Sequence, residues 1–198
     1  MKFEDILKKR TFVVAEIGSN FNQSLSRAYK LIDIAKSCGA DAVKFQLFKA
    51  SHLYPKKTKE YKIFKSIELK SSWLKKLKRY SDRKKIIFFA SPFDMISTKN
   101  LIKSNVKLIK IASSEITKLH DLCYAASYKV PMIISTGMAE LSDVSEAIDV
   151  CKKIGNNKIY LLHTCSLYPT LPKDLNISNI TKLSNIFDLP VGLSDHTI

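Results

Sequence analysis

Short apolar segments alternate with amphipathic segments along the whole chain, and this alternation limits the possible folds more than any other feature. Apolar runs of about four to eight residues between turn signals are typical of buried strands. Such runs occupy residues 12–15, 42–45, 86–90, 108–112, 132–135 and 159–162, and a seventh opens at Val191. Repeated strand–helix units need right-handed crossovers, so the pattern predicts a parallel sheet with helices packed on it.

The segments between these strands have the periodicity of helices. In residues 24–38, Leu25, Ala28, Ile32 and Ala35 fall on one helical face, and Gly39 follows as a stop signal. Further helices are predicted in residues 72–81, 94–104, 119–126, 144–151 and 176–187. Residues 47–70 have no clean period and are predicted as a long loop with partial helix.

The regular spacing of the strands favours one α/β fold, the TIM (β/α)8 barrel. An open doubly wound sheet is the alternative that the same pattern allows. Neither a G-x-G-x-x-G motif nor a Walker A loop follows the first strand, and this argues against a nucleotide-binding function. The chain has 198 residues, fewer than the roughly 250 of a typical barrel, so a barrel with strands 1–7 is expected, incomplete at its C-terminus.

The formal net charge is +15, which favours anionic partners. Between Lys56 and Lys85 there are 13 Lys/Arg against 3 Asp/Glu. A solvated lysine-rich surface explains this stretch most simply, and an electrostatic funnel for a phosphorylated substrate is the alternative. Nucleic-acid binding is not expected, because the stretch lacks aromatic residues spaced for base stacking and any known DNA-binding signature.

The remaining composition indicates a soluble, cytoplasmic protein. The four cysteines, Cys38, Cys123, Cys151 and Cys165, form neither a zinc spacing nor a disulfide scaffold and are expected to be reduced. Residues 1–10 lack the apolar region of a signal peptide, and no apolar run is long enough to span a membrane.

Polar and ionisable residues stand at the ends of the predicted strands, where barrel enzymes carry their catalytic groups. In chain order they are Glu16, Lys44, Gln46, Ser91, Lys110, Ser113, Glu115, Ser135, Thr136, His163, Ser166, Tyr168, Ser194, Asp195 and His196. Lysines and hydroxyls bind phosphate and carboxylate, carboxylates hold sugar hydroxyls or steer protons, and a histidine suits a divalent metal. If these groups converge on one mouth, they indicate an anionic, oxygen-rich substrate.

Each of these residues also has a purely structural explanation. Lys44 and Lys110 could form ion pairs with Glu16 or Glu115, because a lysine buried in an apolar strand is costly unless paired. Ser135 and Thr136 could cap the following helix. His163 could be a hydrogen-bonded core residue, His196 a surface loop residue, and Tyr168 could pack its loop.

Six ordered motifs resemble the N-acetylneuraminate (sialic acid) synthase family, which includes legionaminic and pseudaminic acid synthases. The motifs are residues 15–20 (AEIGSN), 40–46 (ADAVKFQ), 91–94 (SPFD), 110–115 (KIASSE), 135–138 (STGM) and 192–197 (GLSDHT). The resemblance implies a TIM barrel, a divalent metal (Mn²⁺, or Mg²⁺) and phosphoenolpyruvate as donor. The enol carbon would attack the open-chain aldehyde of an N-acetylated amino sugar, water would add at the adjacent carbon, and phosphate would leave.

The resemblance also implies roles for individual residues. Lys44 and Lys110 would bind the phosphate and carboxylate of phosphoenolpyruvate. Glu16 would lie beside the aldehyde and the metal-bound water, and His196 would be a metal ligand. Hydrogen bonds to phosphoenolpyruvate would come from Ser91, Ser113, Ser135, Thr136, Ser166 and Ser194, and the amino sugar would be held by Gln46, Glu115 and Tyr168.

The chain departs from the family pattern in three places. Residues 20–23 read Asn-Phe-Asn-Gln where many members have Asn-His-Asn-Gly, so an imidazole is missing. Residues 163–166 read His-Thr-Cys-Ser, which reverses the usual Cys-Thr pair. Residues 1–198 are expected to form the barrel domain up to strand 7, without the family's eighth strand and C-terminal antifreeze-like domain. The full-length protein is expected to be a homodimer.

Two other functions stay open from the sequence. One is another phosphoenolpyruvate–aldose synthase or an aldolase on the same barrel, which in a Schiff-base mechanism would use Lys44 or Lys110. The other is an inactive basic fragment that binds polyanions.

Overall fold

The computed structural model describes residues 3–198. The chain divides into two compact units, the first ending at Leu108 and the second running from Ile109 to Ile198. Both consist of parallel strands alternating with helices, as the apolar pattern predicts. No helix in the described range combines the length and apolar character that a membrane crossing requires.

The first unit contains three parallel strands in the order β1-β2-β3. The strands are β1 (Val14–Gly18), β2 (Ala42–Leu47) and β3 (Ile87–Pro92). The helices are α1 (Phe3–Leu7), α2 (Leu25–Ser37), α3 (Ala50–Leu53), α4 (Lys59–Ile67), α5 (Leu74–Arg83) and α6 (Met95–Lys103), with a 3-10 turn at Ser71–Trp73.

The second unit contains four parallel strands in the order β4-β5-β6-β7. The strands are β4 (Ile109–Ile111), β5 (Met132–Ser135), β6 (Ile159–Thr164) and β7 (Val191–Ser194). The helices are α7 (Leu119–Ala126), α8 (Leu141–Lys153) and α9 (Asn179–Phe187), and 3-10 turns lie at Ser113–Glu115 and Pro172–Asp174.

Local signals explain most of the helix boundaries. Ser24 and Asp94 precede α2 and α6, and their side chains accept hydrogen bonds from the backbone N–H groups of Arg27 and Ser97. This is the capping arrangement that these residue types favour. The predictions for residues 24–38 and 94–104 are therefore confirmed to within one residue at each end.

One prediction about local structure is confirmed and another needs correction. The partial helix predicted in residues 47–70 consists of α3 and α4, and α4 begins after Thr58, whose hydroxyl accepts from the backbone N–H of Tyr61. The proposal that Ser135 and Thr136 cap the following helix is wrong, because α8 begins at Leu141 after Glu140. The intervening loop frees both hydroxyls from a capping role.

Side chains alternate between the two faces of each strand, and in each unit one face of the strands is packed against helices. In β2, Val43, Phe45 and Leu47 are buried, and the ring of Phe45 packs near that of Phe88 in β3. In β4–β6, Ile111, Ile134 and Leu161 share the corresponding face through strand register. Each fully buried side chain of this kind contributes about 1.5–3 kcal/mol to folding.

A buried carboxylate fastens the entry to β1 and β2. Asp41 accepts two hydrogen bonds from the guanidinium of Arg10, at 2.5 and 2.7 Å, and one at 2.9 Å from the backbone N–H of Val13. The Arg10 hydrogen bond holds the pKa of Asp41 below its ordinary value, although burial opposes this. The pair therefore stabilises the fold only while Asp41 is ionised.

Replacing this carboxylate should destabilise the protein in a pH-dependent way. Because the folded-state pKa of Asp41 is lowered, its contribution is fully present above the ordinary value of 3.8 and is lost as the pH falls from there through the lowered pKa. We expect Asp41→Asn to lower the free energy of unfolding by about 1–2 kcal/mol at pH 7 and by less at pH 3. Urea titrations measure this. Asp82→Asn is the control, because Asp82 is exposed and, within residues 3–198, its carboxylate pairs only with Lys78, and it should cost under about 0.5 kcal/mol. An equal loss in both variants would contradict a special role for Asp41.

Candidate active site

Strand register places four candidate residues on one face of the first unit. Glu16 of β1 is aligned with Lys44 of β2, and Gln46 of β2 is aligned with Ser91 of β3. Aligned residues of parallel strands point to the same face, and Lys44 and Gln46 are two residues apart. These four residues therefore form what we call the first-unit face, opposite the helix-packed face that buries Val43 and Phe45.

The charged pair on the first-unit face is already formed. The ammonium of Lys44 makes an ion pair with the carboxylate of Glu16, which confirms that structural possibility for Lys44. Beside the pair, the hydroxyl of Ser19 donates a hydrogen bond of 3.4 Å to Oε1 of Gln46. Ser91 is buried at the end of β3. The face thus offers one cation, one carboxylate, an amide and two hydroxyls.

The second unit has an equivalent face. Lys110 of β4 is aligned with Ile133 of β5, so Lys110 shares its face with Ser135 two residues further on. Ser135 is aligned with Leu162 of β6, and Thr164, two residues beyond, is aligned with Ser194 of β7. Lys110, Ser135, Thr164 and Ser194 together form what we call the second-unit face.

Lys110 is buried, with 5% of its surface exposed, and its ammonium has no ion-pair or hydrogen-bond partner among residues 3–198. Burial lowers the pKa of Lys110 to about 8. The expected ion pair between Lys110 and Glu115 is not formed. Instead, the 3-10 turn after β4 directs Glu115 towards Lys118 and the hydroxyl of Ser114, at 2.9 and 3.0 Å. An anionic ligand would supply the charge that Lys110 lacks.

Serine hydroxyls cluster around the loop that follows β5. The backbone N–H of Gly137 donates to Oγ of Ser113 at 3.1 Å. A Cβ atom added at Gly137 would lie 2.5 Å from Oγ of Ser166 and 2.9 Å from Oγ of Ser113, so both hydroxyls lie close around this glycine. Thr136 is turned away from this cluster, since its hydroxyl donates to the backbone carbonyl of Leu162.

His196 and Tyr168 form a stacked pair after β7 and β6. Their ring centroids are 4.1 Å apart, and Tyr168 is 78% exposed. Nδ1 of His196 lies 2.7 Å from the backbone carbonyl of Cys165, which can only accept, so Nδ1 carries the hydrogen. Nε2 then presents its lone pair, near the hydroxyls of Tyr168 and Ser194 at 3.2 and 3.3 Å.

This tautomer is the one that a metal-binding histidine needs, because the opposite ring nitrogen of such a histidine usually donates to a carbonyl or carboxylate. Within residues 3–198, however, no three His, Cys, Asp or Glu side chains are grouped as a metal site. The described residues therefore supply one suitable ligand and not a complete set.

His163 is not part of this arrangement. It lies one residue from Leu162 and Thr164 and points to the opposite face of β6, where Nε2 is 2.7 Å from the carbonyl of Leu175. The interpretation of His163 as a hydrogen-bonded core residue is confirmed. His163 also lines a cavity of about 330 Å³ beside Leu141, Val144 and Leu183, and Thr136 and Thr164 line it too.

The residue at the missing imidazole position is also part of the core. Phe21 is fully buried, and its ring centroid lies 6.1 Å from those of Phe45 and Trp73. Its neighbour Gln23 adopts a positive φ and donates to the carbonyl of Glu68 at 2.7 Å. In this chain the loop after β1 is held by packing and by a backbone contact, and position 21 offers no polar group.

Comparison with known proteins is consistent with this geometry. The model of the NeuB family matches residues 31–198. The chain belongs to the NeuB family. One relative is the N,N'-diacetyllegionaminic acid synthase of Legionella pneumophila, which is 39% identical over 94% of this chain and 58% of its own length. An uncharacterised protein of Methanocaldococcus jannaschii, MJ1065, is 40% identical over 95% of this chain and 56% of its own length.

The fold is shared with a solved synthetase structure. The N-acetylneuraminic acid (sialic acid) synthetase of Leptospira borgpetersenii, crystallised with citrate, has a TM-score of 0.91 and 33% identity over 96% of this NeuB-family chain and 66% of its own. The predicted α/β class of the TIM-barrel type is thereby confirmed, with seven parallel strands in residues 3–198. The chain spans little more than half the length of the curated relatives it matches.

Sequence reasoning missed three contributors to the candidate site: the hydroxyl of Thr164, the N–H of Gly137 and the carbonyl of Cys165. Period-two alternation from Leu162 could have found Thr164, had β6 been extended by two residues. The close approach of the Gly137 N–H to Ser113 could have been suspected from the glycine, because glycine is the usual residue where the backbone comes close to another group. A backbone carbonyl has no sequence signal, so the partner of His196 could not have been found.

Burial of the charged Lys110 ammonium should lower the free energy of unfolding of this NeuB-family protein. A pKa lowered from 10.5 to about 8 means that the cost is present below pH 8, falls between pH 8 and 10.5 and is absent above. We expect Lys110→Met to raise the free energy of unfolding at pH 7 by up to about 3 kcal/mol. The difference in free energy of unfolding between this variant and wild type should shrink as the pH rises from about 8 to 10.5.

Urea unfolding from pH 7 to 10.5 measures this difference. Lys107→Met is the matched control, because Lys107 is exposed and three residues away, and it should change stability by under about 0.5 kcal/mol at every pH. If Lys110→Met destabilises the protein at pH 7, the ammonium is compensated by a partner and the site assignment loses its main support.

Proposed function

We propose that the full-length protein condenses phosphoenolpyruvate with an N-acetylated amino sugar, giving a nine-carbon 2-keto sugar acid and phosphate. The observation that carries the proposal is the buried, unpaired ammonium of Lys110 on a strand face that also bears Ser135 and Ser194. A buried charge without a partner is costly, and an anionic substrate is the compensation that this surface suits. Membership of the NeuB family supports the reaction type.

The second unit is assigned to the phosphate and carboxylate of the donor. Lys110 supplies the positive charge, and hydrogen bonds come from Ser113, Ser135, Ser166 and Ser194. Interactions of this kind strengthen where charge moves onto the departing phosphate, because the donors are fixed before the reaction and the lysine is shielded from water. Thr136 has its hydroxyl engaged with a backbone carbonyl, so its contribution is to hold the loop.

The first unit is assigned to the second cation and the reacting aldehyde. Lys44 pairs with Glu16 and so holds its carboxylate in place on this face, where it is assigned to the aldehyde. Gln46, oriented by Ser19, is assigned to sugar hydroxyls, and Ser91 to the donor. Glu115 and Tyr168 of the second unit are assigned to the amino sugar.

A divalent metal, Mn²⁺ or Mg²⁺, is part of the proposal. His196 would be one of its ligands, because the hydrogen bond from Nδ1 to the carbonyl of Cys165 leaves Nε2 as a lone-pair donor. Such an ion would act as a Lewis acid on the aldehyde oxygen. Manganese titration followed by electron paramagnetic resonance would test the ligand.

For that test we expect His196→Gln to weaken Mn²⁺ binding about 10- to 100-fold relative to wild type. His120→Gln is the matched control, because His120 is highly exposed, and it should bind Mn²⁺ as wild type does. Equal Mn²⁺ affinity in wild type and His196→Gln would remove His196 from the metal site.

A second function is favoured by one observation. Lysines that form Schiff bases are desolvated and have lowered pKa values, and Lys110 has both properties. An aldolase that uses Lys110 would be trapped by borohydride in the presence of a keto acid. The synthase would not be labelled, since its lysines act only as cations.

The central prediction concerns phosphate release by the purified full-length protein. Release should need phosphoenolpyruvate, an N-acetylated amino sugar and Mn²⁺ together, because phosphate leaves only after the new carbon–carbon bond forms. With ¹⁸O in the bridging position of phosphoenolpyruvate, the label should appear in the phosphate, since addition of water at the adjacent carbon means that the carbon–oxygen bond breaks.

Mass spectrometry of the released phosphate measures this. Omitting the sugar is the control for simple hydrolysis. Phosphate release without sugar, or ¹⁸O retained in the organic product, would contradict the condensation and leave the aldolase or another phosphoryl-transfer reaction as the better description.

A further inference from the structure

Two serines of the second unit are each held by a group outside the proposed ligand set. The hydroxyl of Thr164 donates to Oγ of Ser135 at 3.1 Å. The backbone N–H of Gly137 donates to Oγ of Ser113 at 3.1 Å. In both cases the serine oxygen is the acceptor.

This direction of hydrogen bonding determines what each serine can do. A serine hydroxyl has one donor hydrogen and two acceptor lone pairs. A backbone N–H cannot accept, so the hydrogen of Ser113 must point away from Gly137. Among residues 3–198, neither Ser113 nor Ser135 donates a hydrogen bond from its hydroxyl, so both hydrogens are left for a ligand.

Burial makes the arrangement of Ser135 and Thr164 rigid. Ser135 is 1% exposed and Thr164 8% exposed, so water competes little for the hydrogen bond between them. Thr164 lies two residues beyond Leu162, which is aligned with Ser135, and so projects from the same face. The carbonyl of Leu162 is a second acceptor near the same hydroxyl, but it lies farther away, at 3.4 Å, so the single hydrogen of Thr164 is assigned to Ser135.

At Gly137 the constraint is space. A methyl group there would meet Oγ of Ser166 at 2.5 Å, Oγ of Ser113 at 2.9 Å and the carbonyl oxygen of Thr164 at 3.0 Å. All three distances are shorter than normal contacts to carbon. Only a residue without a side chain lets this N–H approach Ser113 while Ser166 stays in place.

We propose that Thr164 and Gly137 are positioning residues, which fix the hydroxyls of Ser135 and Ser113 as hydrogen-bond donors to the anionic groups of phosphoenolpyruvate. This inference rests on the proposed function, because it takes phosphoenolpyruvate as the ligand of these serines. Neither residue is assigned a contact with the ligand. Their effect is therefore confined to the affinity and turnover of the donor substrate.

Thr164 can be tested with a matched pair of variants. Thr164→Val keeps the shape and removes the hydroxyl, and Thr164→Ser keeps the hydroxyl. We expect Thr164→Val to raise the Kd and KM for phosphoenolpyruvate about tenfold while the KM for the sugar changes less than about twofold. Thr164→Ser should restore both values to near wild type.

A thermal melt accompanies each variant, because a purely structural role would lower the melting temperature without separating the two KM values. If Thr164→Val binds phosphoenolpyruvate as wild type does, or if Thr164→Ser is as impaired as Thr164→Val, the positioning role of Thr164 is overturned.

Gly137 is tested by a double-mutant cycle, which also serves if Thr164→Val does not fold. Gly137→Ala should raise the Kd for phosphoenolpyruvate at least about tenfold, because the new methyl group displaces Ser166 and Ser113. Ser166→Ala removes the nearest clashing atom, so the double variant should be less impaired than the product of the two single effects. If the two substitutions raise the Kd for phosphoenolpyruvate independently, so that their effects multiply in the double variant, the proposed packing of Gly137 against Ser166 is overturned.

Calorimetric titration with phosphoenolpyruvate separates this inference from the proposed function. If wild type binds phosphoenolpyruvate and all Thr164 and Gly137 variants bind it equally well, the positioning role fails and the proposed function stands. If wild type binds neither phosphoenolpyruvate nor inorganic phosphate, both fail together.

Discussion

The alternation of side chains across parallel strands is the constraint on which the candidate site depends. Each strand buries one set of side chains against helices, and this fixes the direction of every other residue. In β2 the burial of Val43 and Phe45 commits Lys44 and Gln46 to the opposite face. In β6 the same rule separates His163, bonded in the core, from Thr164, which faces Ser135. Hydrophobic packing thus selects the polar groups that are available for chemistry.

The sequence predicted the strands well because they are short, apolar and bounded by clear turn signals. Residues 132–135 coincide with β5, and the candidate residues do stand at strand ends. The sequence could not show whether Lys110 pairs with Glu115. That depends on the 3-10 turn after β4, which directs Glu115 towards Lys118 instead. Residues 47–70 were harder to assign because they hold two short helices, and α4 buries no side chain completely, although Thr58 was an available capping signal. The hydrogen bond from His196 to a backbone carbonyl depends on tertiary structure alone.

The distribution of charge adds to this division of roles. Residues 1–108 contain 25 Lys/Arg and 9 Asp/Glu, whereas residues 109–198 contain 8 and 9. The second stretch is thus nearly neutral, yet it holds the buried lysine without an ion-pair partner. Local environment, and not net charge, is therefore what makes Lys110 a candidate for anion binding, since an exposed surface lysine is compensated by water.

The lowered pKa of Lys110 has a thermodynamic consequence for any anion that binds beside it. Near pH 8 about half of the amines are unprotonated, and an adjacent negative charge favours the protonated form. Binding would then draw up to about half a proton from the buffer. The observed enthalpy of association would differ between buffers with different heats of ionisation, and the part of this difference that comes from Lys110 would vanish at pH 6, where the amine is already fully charged.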